Sequence, residues 1–386
     1  MARKVAPDGG AVVEQQRADD VTVALPGGTQ PRPGQFDAAA VPPGSADETV
    51  RSPLGLRPSG NDGSLEVEPS GAKRRRGWFG RLVVVLGWIA LLAGLTGVGL
   101  HYSSVSSEPL VLAASFTPYL LVGSLIALVL LLITRAWRSA MAAALVTAAA
   151  LWSQLPMFVP DGTAPPGVDV AVMQSNVLFG QADMTAVVQA VRDNRIEVLT
   201  LEELTPAAVT RLEAAGIADA LPYRYLEPAN GGQGSGIFSR YPLEAGSKLT
   251  GFLLNNVRVT MIHPDLGPVA VFQFHPIPPN LDFAAWTSEM RTIADLLDQQ
   301  PGKVIVGGDF NSTFDHSAYR KLLNDRYADT AELLGVGALP TWPNDRSWGP
   351  VLGLDRVLVA GGHATEIHSL TIPASDHRAV VARLRL

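Results

Sequence analysis

The sequence predicts a layered α/β domain attached to a membrane-embedded region. Three observations carry this reading. Short apolar runs alternate with amphipathic helical patterns over residues 168–386. The stretch Leu82–Leu100 is 19 residues long without a charge, close to the ~20 residues that span a bilayer. Polar residues gather where several apolar runs end, which is where layered α/β domains place their sites. The chain of 386 residues has room for two or three domains. It contains no Cys, which excludes disulfides, thiolate nucleophiles and Cys-ligated metals.

Residues 1–71 are rich in Pro, Gly, Ser, Asp and Glu and lack sustained apolar periodicity. Such a segment buries too little apolar surface to offset its ordering entropy, so a disordered tail is expected. The region 72–160 opens on Lys73-Arg74-Arg75-Arg76 and predicts three transmembrane helices, at about 82–100, 110–134 and 139–159. The third run is Ala-rich and holds Gln154 and Pro156, so a soluble or interfacial helix is its alternative. Basic residues precede the first run and recur as Arg135 and Arg138, whereas HYSSVSSEPL between the first two runs has no Lys or Arg. The positive-inside rule then places the N-terminus in the cytoplasm, and three crossings deliver the rest of the chain to the extracytoplasmic face of the plasma membrane. An uncrossed third run would leave it in the cytoplasm.

After the linker PDGTAPPG, the segments VDVAVMQSN, EVLTLEE, SGIFSRYPL, NVRVTMI, VAVFQFH, KVIVGGDFN and LDRVLVA read as strands. MTAVVQAVRDN, PAAVTRLEAAG and FAAWTSEMRTIADLLDQQ read as helices.

The strand ends carry Asn176, Glu202 and Glu203, His275, Asp309 and Asn311, Asp355, and then Asp376 and His377. Each has an ordinary explanation by itself. Asn176 suits a cap, VIVGGDFNST reads as a turn, His275 as a loop histidine, and Asp355 beside Arg356 as a surface ion pair. Neighbours on a strand face opposite ways, so one of Glu202 and Glu203 is expected at the surface. Together they form the donor set of phosphate-ester hydrolysis. Carboxylate oxygens suit Mg²⁺ or Mn²⁺, and a His oriented by a carboxylate can handle a proton near neutral pH. No G-x-S-x-G elbow, Walker A loop or H-E-x-x-H is present.

GGDFNST, SDHRAV, LDRVLV, LTLEEL and SGIFSRYPL, in their order along the chain, resemble the endonuclease/exonuclease/phosphatase superfamily. Glu202 stands where that family has a glutamine. The resemblance covers about residues 168–386 and implies a two-sheet, four-layer α/β sandwich with helices on its outer faces. It implies Glu203 as principal metal ligand, with Asn176 nearby and Asp376 close to the metal. Asp309 and Asn311 would orient water and phosphate. Asp355 would hold His377, which would activate water or stabilise the transition state. His275 would serve the leaving-group side.

Residues 161–386 hold 17 Lys plus Arg and 25 Asp plus Glu, a formal charge of 17 − 25 = −8. Nucleic-acid enzymes usually present a basic surface, so nucleic acid is a disfavoured partner unless Arg224, Arg240, Arg258 and Arg346 build a local groove. Arg240 and Trp342 are the candidate substrate-binding residues, with Trp348 a second aromatic near Trp342. A tether of about eight residues holds the site near the lipid bilayer, so a membrane-associated phosphate ester is the expected substrate. A basic N-terminus, three spans and an exported domain of this kind are similar to bacterial teicoplanin-resistance membrane proteins of the VanJ and StaP type. That similarity implies a polyprenyl cell-wall lipid phosphate. An exported nuclease or phosphodiesterase and a catalytically silent binding module are the alternatives.

Overall fold

A computed structural model describes residues 77–323 and 326–386; the expected disordered tail lies outside them. The membrane-like region begins with α1 (Trp78–Tyr102). The second apolar run is not one helix. It forms α2 (Glu108–Ala114) and α3 (Thr117–Ile133), bent by 67° at their junction. Pro118 stands in the first turn of α3. A proline there costs no helical hydrogen bond, whereas inside a continuous helix it would lose one and clash with the preceding turn, so the position suits a fresh helix start. The third run is α4 (Trp137–Gln154), extended by a 3₁₀ turn to Met157. Two helices, Trp78–Tyr102 and Trp137–Met157, are long and apolar enough to cross a membrane, and α2 with α3 makes a third if the bent pair is one span. α1 and α3 lie in close contact. A Cβ on Gly94 would fall 2.7 Å from the Ser124 amide nitrogen, and one on Gly123 2.7 Å from the Ala90 carbonyl. Small residues are what let two apolar helices approach so closely.

The rest of the chain folds into two six-stranded sheets. In chain order the strands are β1 (Asp169–Asn176), β2 (Val198–Glu202), β3 (Tyr223–Glu227), β4 (Ser235–Ser239), β5 (Leu243–Lys248) and β6 (Val257–His263). β7 (Gly267–Phe274), β8 (Lys303–Asp309), β9 (Tyr327–Asp329), β10 (Asp355–Ala360), β11 (His363–Thr371) and β12 (Arg378–Arg385) follow. One sheet has the order β11-β12-β1-β2-β4-β3, the other β5-β6-β7-β8-β10-β9. Each has one parallel pair, β1 with β2 and β7 with β8. Helices α5 (Met184–Asp193) and α7 (Phe283–Asp298) cross over between the strands of those pairs. Asp183 and Asp282 cap them by accepting from the first-turn amides of Thr185 and Ala186 and of Ala285. α6 (Pro206–Ala214) completes the first outer layer, α8 (Ser317–Arg320) packs near α7, and α9 (Thr330–Leu334) contacts β9 and β10 of the second sheet and β11 of the first.

Alternation along the strands sorts the core into layers. Val170, Val172, Val198, Val271, Ile305 and Val357 face between the sheets. Ala171, Met173 and Leu199 face α5 and α6, and Phe272, Val304 and Val306 face α7. The expected four-layer sandwich is therefore present. The paired glycines of β8 serve this packing: a Cβ on Gly307 would meet Thr200 Oγ1 of the opposite sheet at 2.3 Å, and one on Gly308 the Phe274 carbonyl at 2.2 Å.

The two regions are not joined by a free tether. The Asp161 amide donates to Leu333 O at 3.0 Å, and His363 Nε2 lies 2.6 Å from Asp161 O, so the linker lies along the domain. Asp315 Oδ1 binds His101 Nδ1 at the end of α1 at 2.7 Å and Gln154 Nε2 at the end of α4 at 2.9 Å. His316 Nε2 lies 2.9 Å from the Val111 carbonyl of α2, and Arg320 donates to the carbonyl of His101.

Candidate active site

The inter-sheet face changes character toward one end of the sandwich. On β1 it runs Val170, Val172, Gln174, Asn176; on β2 it runs Val198, Thr200, Glu202. On β7 it ends at Gln273, and on β8 at Asp309 after Ile305 and Gly307. The parallel register sets Asn176 beside Glu202, and the antiparallel register sets Asp309 opposite Asp355. His377 stands just before β12, which pairs with β1. Period-2 geometry and strand pairing thus bring these side chains to one rim.

Asp309 Oδ2 is the point of convergence. Asn176 Nδ2 donates to it at 3.2 Å, His377 Nε2 lies 3.7 Å away and His275 Nε2 3.8 Å away. The other oxygen, Oδ1, accepts the Asn311 amide at 2.9 Å. Asn311 has φ +46°, a conformation Asn tolerates better than most residues, and its Nδ2 donates to Pro276 O at 3.0 Å. The other nitrogen of His377, Nδ1, lies 2.8 Å from Asp355 Oδ2. Ser375 Oγ accepts the His377 amide at 3.1 Å and donates to Asn176 O at 2.8 Å. Thr341 Oγ1 accepts the amides of Leu354 and Asp355 at 3.1 and 3.3 Å. The Asn256 side chain accepts the His275 amide at 2.6 Å.

Burial opposes charge on His377, but the carboxylates of Asp355 and Asp309 outweigh it and raise the imidazole pKa to about 10. Burial likewise works to raise Asp355, yet the His377 charge and hydrogen bond prevail and hold it below the usual carboxylate value. Asp309 goes the other way: burial pushes it up, with a further push from Asp355.

Neither glutamate of LTLEEL is at the surface. Glu202 is wholly buried between the sheets, where Gln174 Nε2 donates at 2.7 Å and Gln273 Nε2 at 3.2 Å. Burial, with the charges of Asp355 and Asp309, raises its pKa well above the ordinary carboxylate value. Glu203 follows with φ +58°, a left-handed turn that brings it back to the rim instead of outward. There Oε1 accepts Asn176 Nδ2 at 3.0 Å and Oε2 accepts the Phe179 amide at 2.7 Å.

Two groupings could take a metal. Asp309, Asp355 and His377 bring ligand atoms within 4.8 Å of one another, but the short Nδ1 contact to Asp355 makes them a hydrogen-bonded relay. Glu203, Asn176 and Asp376 fit a hard cation better. Burial and the Glu203 charge both raise Asp376, and its buried Oδ1 has no hydrogen-bond partner. Two mutually repelling carboxylates with an orphaned oxygen suit a small divalent ion. Asp376 Oδ2 accepts Trp342 Nε1 at 3.2 Å, which places Trp342 at the rim, with its ring centroid 6.4 Å from that of His377.

The structure does not bring Arg240 to this site. In the register of β2 with β4, Glu202 pairs with Ser235 and Val198 with Ser239, so Arg240 follows the far end of β4. There it lies 3.5 Å from Glu197. Gln174, Gln273, Asn256, Thr341 and Ser375 escaped the sequence reading as working parts. For Gln174 the signal was available: it continues the alternation Val170, Val172 toward Asn176.

The sequence profile of the Endonuclease/Exonuclease/phosphatase family matches residues 173–377, from within β1 to His377. The chain belongs to this family. Its members are hydrolases that act on phosphate esters and depend on divalent metal. No match is found among curated proteins. Solved structures share the fold. D. rerio TDP2 complexed with single strand DNA product is 16% identical, covering 56% of this chain and 99% of that chain, with TM-score 0.50. The 3' phosphatase NExo from Neisseria, bound to product DNA hairpin, is 17% identical over 55% of this chain and 98% of its own, with TM-score 0.45. A family member from Beutenbergia cavernae is 18% identical over 56% and 72%, with TM-score 0.43.

Proposed function

We propose that the chain is a Mg²⁺- or Mn²⁺-dependent phosphohydrolase acting at a membrane on the phosphate ester or pyrophosphate of a membrane-associated substrate. The observation that carries it is the convergence of Asn176, His275 and His377 on one oxygen of Asp309. This occurs in a domain whose strand-tip loop is bonded to the ends of two membrane-length helices.

Glu203 and Asp376, with Asn176 beside them, are the residues that would hold the ion. When bound, it would neutralise charge developing on phosphate oxygens. His377, kept protonated by Asp355 and Asp309, is suited to stabilising that charge, which favours this role over that of the base. Asp309, raised by burial, is suited to accept the proton of the attacking water. Asn176 and Asn311 are neutral and orient groups without repelling an anionic substrate. His275, near the same Asp309 oxygen, would serve the leaving group.

In this reading three crossings place the domain on the extracytoplasmic side. The substrate is then a polyprenyl (pyro)phosphate of the cell-wall lipid cycle, with a link to teicoplanin resistance. A test is to incubate the full chain in detergent with undecaprenyl pyrophosphate, phospholipids and DNA, with and without EDTA. Metal-dependent phosphate release from the polyprenyl lipid, lost in His377→Ala, is expected. Cleavage of DNA alone would replace the substrate class. A C-terminal reporter silent outside the cell would overturn the sidedness.

A further inference from the structure

The loop 341–352 (TWPNDRSWGPVL) joins the catalytic rim to the start of a membrane-like helix. A bridge between Trp342 and Leu352 closes it. On one side it meets the site. Trp342 Nε1 donates to Asp376 Oδ2 at 3.2 Å, and the Asn344 amide donates to Asp376 O at 2.6 Å. On the other side Tyr119 Oη, in α3, donates to Val351 O at 2.8 Å. Between the two ties lies a pocket of about 230 Å³ walled by Phe116, Trp342, Trp348, Val351 and Leu352, with Asp376 at its edge.

Three features say what fits there. The walls are mostly aromatic and aliphatic, with the paired Asp345 and Arg346 also in the lining, and Phe116 and Trp348 stand 50% and 63% exposed, an apolar surface left for something else to cover. Phe116 caps the N-terminus of α3 at the 67° break in an apolar helical run, so one end of the pocket opens where a bilayer would begin. The other end is Asp376, next in sequence to His377. The volume is below that of a drug-sized site and suits a short stretch of chain. A phosphate carried on hydrocarbon and still anchored in the bilayer has this shape: polar where the rim is polar and apolar where the loop is apolar.

We propose that this pocket receives the hydrocarbon chain next to the phosphate of a bilayer-resident lipid phosphate, with Trp342 as the partition between chain and reacting group. The proposal deepens the phosphohydrolase reading and rests on it for the headgroup. The test uses the full chain in lipid nanodiscs and dodecyl phosphate carrying a diazirine near the phosphate, with adducts mapped by mass spectrometry. Adducts are expected on Phe116 and within residues 342–352. They should fall at least tenfold in Trp348→Ala and in Phe116→Ala. The same variants should lower, at least tenfold, the ratio of kcat/KM on undecaprenyl pyrophosphate to that on inorganic pyrophosphate, which has the headgroup and no chain. Adducts spread evenly along α1, α3 and α4, or an unchanged ratio, would overturn the pocket. Labelling of the pocket without phosphate release from any substrate would leave the binding site standing and sink the hydrolase instead.

Discussion

Adjacent glutamates with opposite duties are the sharpest test at the scale of single residues. Glu202 is buried and its pKa is raised, while Gln174 Oε1 and Gln273 Oε1 beside it lack partners. A protonated Glu202 can donate to one of them, and an amide can do the same. Glu202→Gln should therefore keep thermal stability within about 1 kcal/mol and leave turnover nearly intact. Destabilisation well beyond that in a melting curve would mean Glu202 is ionised. Glu203→Gln should weaken metal affinity about 10–100-fold, read as a shift in the Mg²⁺ concentration for half-maximal rate. Asp355→Asn removes the carboxylate that orients His377 and is expected to lower kcat about 10²–10⁴-fold with KM little changed. A wild-type kcat would show that the 2.8 Å contact is only structural. The convergence of these residues was partly legible. Asp309, Asp355 and His377 stand out because carboxylate and imidazole at strand tips suit few other purposes. Alternation misled by assigning one glutamate outward, whereas Glu202 is buried and a left-handed Glu203 turns back to the half-buried rim.

Among the elements, most strands with a neighbour on each side were readable, because both faces demand apolar residues: β1, β2, β7, β8 and β10 are continuous runs, whereas β12, also interior, was not read as a strand because Arg378, Arg383 and Arg385 interrupt it. Edge strands were not. β3 and β11 are half exposed and polar, β5 and β11 carry bulges, and β9 is three residues long. The broken second apolar run was also missed, since hydropathy does not register a tertiary contact such as His316 with Val111 O. Two predictions concern this docking of helix ends to the loop after β8. Asp315→Ala strips His101 and Gln154 of their shared acceptor and should cost about 1–3 kcal/mol. A melting curve in detergent identical to wild type would mean the contact carries no docking energy. His316 is held neutral: Nδ1 accepts the Thr313 amide at 2.9 Å and Nε2–H donates to Val111 O at 2.9 Å. Burial lowers its pKa to about 4, below the unfolded value of 6.5. The unfolded state then binds more protons between those values. Stability from this group is complete above about pH 6.5 and falls toward pH 4, by at most ~1.4 kcal/mol per unit. Thermal melts across that range should show the slope in wild type and a smaller one in His316→Gln.

At the scale of the whole molecule the composition changes sharply, from a charged start to apolar runs to an acidic segment. Its consequence for substrate choice now rests on where the cations lie. The domain is formally −8 by the count 17 − 25, and the four arginines that were candidates for a groove are engaged separately. Arg224 pairs with Glu213, Arg240 with Glu197 and Arg346 with Asp345, while the Arg258 guanidinium lies 5.5 Å from the Phe272 ring centroid. A protein that binds a nucleic-acid backbone through 6–10 phosphates loses about 10³–10⁵ in affinity between 50 and 200 mM salt. Among the described residues these four arginines form no such row of free cations, and apolar contact with a lipid chain is nearly indifferent to salt. Rates of the full chain on undecaprenyl pyrophosphate at the two salt concentrations, below saturation, should differ by less than about tenfold. Turnover of single-stranded DNA should stay at least about 100-fold lower in kcat/KM at both. A steep salt dependence together with efficient DNA cleavage would mean that the acidic surface conceals a working nucleic-acid groove, and the membrane would then be only an anchor.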